Sequence, residues 1–233
     1  MHDPVGVAST PNIARPTPKQ TTPSKVAMKI FTIENNFPLA EGNKSQLSAL
    51  EIERPVVCCL PDTALQTRGR PYFSPAFADP CRCQLSVAVR IGRLGKCIGE
   101  RFAYRYVDAV TVGAVFTATR LQEELAVCGL PWDVSKGFDN AAVVGTFKPV
   151  SSLDEINAAE FTLEEDERLV QSGSLAACRF TVAQLVAHIS KVYLLRQGDI
   201  IFVGYPHAGH EAKLDSRLTG HLNGERLLSF LVK

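Results

Sequence analysis

Short apolar runs, some alternating with polar residues at a period of two, recur along the chain and predict strands. In CQLSVAVRIG (83–92) the alternation places Leu85, Val87, Val89 and Ile91 on one face and Gln84, Ser86, Ala88 and Arg90 on the other. The first set reads as core and the second, on periodicity alone, as the wet side. MKIFTI (28–33), RPVVCCL (54–60), VTVGAVF (110–116) and GDIIFVGYP (198–206) predict further strands. FTLEEDERLV predicts two short strands around an acidic turn with Glu164, Glu165, Asp166 and Glu167 solvated, and HLNGERLLSFLV predicts a hairpin turning at Asn223-Gly224.

Helical periodicity is confined to short stretches. TVAQLVAHISKVY sets Val182, Leu185, Val186, Ile189 and Val192 on one helical face. TATRLQEELAVCGL predicts a helix capped by Thr117 and stopped by Gly129, RFAYRYVDAV a helix running into the next strand, and PDTALQ one short helix ahead of a loop at GRPYFSP. The sum is an α+β chain with more strand than helix. No regular βαβ alternation supports a doubly wound nucleotide-binding fold, and no internal repeat is visible.

Composition adds bounds rather than a function. The 233 residues are 45% apolar, enough for a substantial core, and 25 basic against 24 acidic side chains give no electrostatic ground for a nucleic-acid or anionic-membrane partner. No run of about eighteen apolar residues and no signal-peptide pattern occurs, so a cytoplasmic protein is expected. Seven cysteines, five of them in or beside apolar segments, suit reduced and buried thiols. Residues 1–27 carry five of the fourteen prolines among Ser and Thr and predict a disordered tail ahead of one domain over 28–233; Met28 is an alternative start.

Candidate chemistry is sparse. His207, His210 and Glu211 in YPHAGHE are conceivable metal ligands, as are Cys81 and Cys83, but solvated turn residues and core thiols account for them better. Walker, G-x-G-x-x-G, G-x-S-x-G and H-E-x-x-H motifs are missing.

In one order, MKIFTIENNF, PDTAL, VAVRIGRLGK, YVDAVTVGAVFTATRLQ, GLPWDVSKGFD and GDIIFVGYP resemble the fumarylacetoacetate hydrolase family, particularly its short bacterial members. The resemblance spans about residues 28–232, and SKGFD and GDIIFVGYP are its most specific parts. It implies a mixed β-roll or sandwich with peripheral helices, usually homodimeric. It also implies Mg²⁺ or Mn²⁺ held by carboxylates, so that an enolate is stabilised while small 2-oxo or β-diketo acids are hydrolysed, decarboxylated or isomerised.

Carried over position by position, the resemblance predicts a loss. The family's Glu-x-Glu falls on Gln84 and Ser86, and its third metal ligand, an Asp, falls on Val115. The substrate-binding Arg becomes Thr119, the following Asp becomes Arg120, the two threonines of the T-G-T-P turn become Val203 and Tyr205, and no histidine stands in the lid-like NNFPLAEGNK. Gln122, Lys136, Asp139 and Tyr205 remain as candidates to line a pocket, while Gly198, Asp199, Gly204 and Pro206 suffice as turn residues. The expectation is a degenerate, non-catalytic member with no cofactor. It would bind a small carboxylate or pair as a homodimer, or as a heterodimer with an active paralogue. The alternative is an enzyme with a relocated or weak metal site.

Overall fold

β-branched and aromatic alternation drives the chain into two packed sheets, seen in a computed structural model that describes residues 28–38, 53–67, 69–206 and 209–233. The predicted 1–27 tail lies outside the described residues. The larger sheet has the order β2-β1-β9-β3-β4-β5, with β6 added to β4: β1 is Ile30–Ile33, β2 Val57–Leu60, β3 Cys81–Ile91, β4 Val107–Ala118, β5 Ala142–Val144, β6 Lys148–Pro149 and β9 Ile200–Phe202. The second sheet runs β11-β10-β7-β8, from β7 Glu160–Glu165, β8 Arg168–Ser174, β10 Arg217–Leu222 and β11 Glu225–Leu231. Among the strand pairs of the described residues, β1/β9 alone is parallel.

The main core fills one face of the large sheet. Leu85, Val87, Val89, Val112, Ala114 and Phe116 meet Phe161, Leu163, Leu218 and Phe230 of the second sheet. They also meet the buried stripe Val182, Leu185, Val186 and Ile189 of a helix over Val182–Val192. A reciprocal capping box between Thr181 and Gln184 starts that helix. The other face carries a smaller apolar cluster of Ile30, Leu60, Ala64, Ala88, Val115, Ala142, Ile200 and Phe202.

Some expectations are corrected. Thr117 caps no helix: it is buried inside β4, and helix α1, Thr119–Val127, follows Ala118 without a side-chain cap. Gly129 does close α1, at φ +65°. RFAYRYVDAV contains one six-residue 3₁₀ helix, Glu100–Arg105, and the strand starts at Val107. Val192 is exposed at the end of its helix, because one turn beyond Ile189 the stripe has left the core. Only Cys83 among the seven free thiols is fully buried, and Cys59, Cys97 and Cys128 are exposed. Both hairpin turns form as read, with positive φ at Asp166, Glu167, Asn223 and Gly224.

Candidate functional site

Strand register decides whether the three singled-out positions belong together. Gln84 pairs with Val115 and Val115 with Ala142; one row along, Ser86 pairs with Gly113 and Gly113 with Val144. Directly paired residues point to the same side of a sheet, so Gln84, Ser86 and Val115 do share one face. That face is not wet. Ser86 and Val115 are both fully buried.

The space between them is filled. The Ser86 hydroxyl donates to Val87 O at 2.9 Å and accepts from Gly204 N–H at 3.2 Å, so the backbone already uses it. Val115 packs with Ala88, Ala142, Ile200 and Phe202. A β-carbon on Gly113 would lie 2.7 Å from the Phe202 ring, which places that ring over the row occupied by Ser86. Gln84 is half-buried under the loop that leaves β9: a β-carbon on Gly209, whose φ is +102°, would come within 3.1 Å of Gln84 Cγ.

A hard divalent cation takes six or more oxygens, with carboxylates supplying the charge. Here an amide, a hydroxyl committed to backbone and a valine stand at the three positions, and they do not fit such an ion. Among the described residues no three His, Cys, Asp or Glu side chains converge elsewhere to hold one.

Polarity survives further along the same face. Thr32 pairs with Phe202 of β9 and with Cys58 of β2, which puts all three on the site side of the sheet. Lys136 is only 3% exposed, and its Nζ lies 2.5 Å from Glu34 Oε2 and 5.1 Å from the Tyr205 ring centroid. The other Glu34 oxygen accepts from the Thr32 hydroxyl at 2.8 Å. The Tyr205 hydroxyl is buried and makes no hydrogen bond of normal geometry among the described residues. Burial, then the neighbouring Glu34 charge, holds the Tyr205 phenol far above its ordinary range and pushes the Cys58 thiol up to about 12. The cluster therefore contains an ion pair, neutral phenol and neutral thiol.

Two of the four pocket candidates are thus brought together, Lys136 and Tyr205. Gln122 is half-exposed on α1, and Asp139 is exposed in the turn before β5. Glu34 was missed as a partner because nothing in its spacing relates it to a lysine 102 residues away. Asn36, also missed, is fully buried and ties β1 to Phe180 and to Val203 O through both ends of its amide.

The relocated-metal residues separate. His207 lies outside the described residues, and Glu211 is exposed. His210 joins β3 in a bridge with Cys83, and its Nε2 lies 3.2 Å from Glu165 Oε2. Glu165 is accordingly not solvated: it is 7% exposed and accepts from Lys213 N–H and from the Ser216 hydroxyl. Burial alone would raise its carboxyl, but those bonds and His210 outweigh it and hold the group below its ordinary range. Asp199 is likewise more than a turn residue, being fully buried with Lys29 Nζ at 2.6 Å.

The chain matches the family model described as fumarylacetoacetate (FAA) hydrolase C-terminal over residues 29–226. It is 27% identical over 188 residues to the mitochondrial oxaloacetate tautomerase FAHD1 of Mus musculus, covering 81% of this chain and 85% of the relative. Among solved structures, fumarylpyruvate hydrolase from Pseudomonas aeruginosa, in complex with Mn²⁺ and pyruvate, has a TM-score of 0.77 at 24% identity, covering 88% of each chain. The 5-carboxymethyl-2-hydroxymuconate delta-isomerase from Mycobacterium smegmatis has a TM-score of 0.74 at 24% identity, covering 88% of this chain and 78% of that one.

Proposed function

From the premise that the chain belongs to the fumarylacetoacetate hydrolase family, we propose that it keeps the family's fold without its metal-dependent chemistry and acts as a binding or partner protein. One observation carries this reading. The sheet face that the family resemblance assigns to three carboxylate ligands is closed here by Val115, by the Phe202 ring and by a Ser86 hydroxyl already bonded to backbone. Substituting one ligand would leave a weak site; filling the site with hydrocarbon removes both the charge and the room that an ion needs. The partner we assign is another copy of the same fold, its own or that of an active paralogue. A metal site moved to His207, His210 and Glu211 gains nothing from His210, whose imidazole is turned to Glu165.

The relatives' names supply the test. Purified protein is assayed with Mg²⁺ or Mn²⁺ for enol–keto interconversion of oxaloacetate and for cleavage of fumarylpyruvate, each against a protein-free blank of the same metal. Rates equal to the blank are expected. Turnover above it that a chelator abolishes would overturn the proposal.

A further inference from the structure

We propose that Glu34 is a built-in carboxylate ligand for Lys136, occupying a small anion site that opens to external carboxylates once the Glu34 side chain is removed. The inference deepens the reading above and rests on it in treating this face as a place of binding. Its test requires neither metal nor turnover, so the two can fail separately.

Lys136 is 3% exposed, and among the described residues the carboxylate paired with its ammonium is that of Glu34, 2.5 Å away. The carboxylate is gripped at both oxygens, by Lys136 Nζ on one and the Thr32 hydroxyl on the other. Two convergent donors of this kind, one charged, describe a carboxylate-binding site rather than a chance surface pair. The Tyr205 ring lies under the Lys136 ammonium, and its buried hydroxyl is directed to Thr32 in the same cluster.

The geometry also gives the site a way in. The Glu34 side chain is 18% exposed while Lys136 is 3% exposed, so the carboxylate stands between the ammonium and solvent. Its removal would leave Lys136 and Thr32 facing a gap the size of a carboxymethyl group, on the side where Glu34 is the more exposed member of the pair. The ligand class that follows is a small monocarboxylate, of which acetate is the simplest probe.

The experiment is chemical rescue. Glu34→Ala should lower the melting temperature by about 5–10 °C, as expected when a buried charge loses its partner in a chain of this size. Increasing acetate at constant ionic strength should then raise it again with a saturating dependence, while chloride should not. The wild type, whose site is filled, should show no such response, nor should Glu34→Gln, whose amide still occupies the gap. The double variant Glu34→Ala/Lys136→Met should also fail to respond, having no cation to satisfy. If Glu34→Ala is insoluble, recovery of folded protein only when it is refolded with acetate supports the site, and no recovery in acetate counts against it. A folded Glu34→Ala protein that ignores acetate, or a response that persists without Lys136, would overturn the proposal.

Discussion

Two halves of one sheet face handle charge in opposite ways. Around Ser86 and Val115 the residues are neutral, buried and closely packed, and the Ser86 hydroxyl is bonded to backbone. Around Lys136, a few residues along, a buried cation is retained and answered by Glu34. The difference shows which polar groups a fold can shed. A buried carboxylate without an ion or partner is costly, whereas valine fits the interior of a strand. A lysine that already has an internal partner can stay, because losing either member of the pair would leave the other stranded.

The contrast breaks first at its apolar half. Val115→Asp, which restores a carboxylate in the midst of Ala88, Ala142 and Phe202, should cost about 4 kcal/mol in chemical denaturation, more than most core substitutions. The polar half should yield next: Lys136→Ala leaves the Glu34 carboxylate unpaired and should cost about 3 kcal/mol by the same measurement. A smaller effect belongs to the second sheet, where Glu165 at the end of β7 holds the loop carrying His210 and Lys213. Its folded-state pKa lies below its unfolded value, so it contributes stability that is present above the unfolded pKa and is lost as pH falls through the folded one. Melting temperatures between about pH 5 and pH 3 should therefore fall more steeply in the wild type than in Glu165→Gln. The least effect is expected at half-exposed Gln84, where Gln84→Glu should change stability by less than about 0.5 kcal/mol. If Val115→Asp proved as mild as Gln84→Glu, the apolar half of the comparison would fail.

Much of this was legible before any coordinates. The period-two run in CQLSVAVRIG placed Gln84 and Ser86 on the face opposite the core, and that register is observed. The Asn223-Gly224 turn and the Val182–Ile189 stripe also followed from local pattern. What escaped was set by distant parts of the chain. Periodicity could not tell that the second face of the sheet is covered by Phe202 and the Gly209 loop, so residues expected to be wet are buried. The acidic run at 164–167 gave no hint that Glu165 points inward to Ser216 and His210, because those partners come more than forty residues later. Thr117 had a cap's composition, but ladder pairing with Arg82 kept it in β4. Family resemblance singled out Gln84, Ser86 and Val115, while only the fold shows how closely Ser86 and Val115 are packed.

The central claim is tested most directly by titrating the wild-type protein with Mn²⁺ and following the free aqueous ion by electron paramagnetic resonance. The account predicts a signal that rises with added Mn²⁺ as it does in buffer alone. One equivalent of Mn²⁺ removed from solution per chain, and released when Gln84 and Ser86 are replaced by Ala, would contradict it.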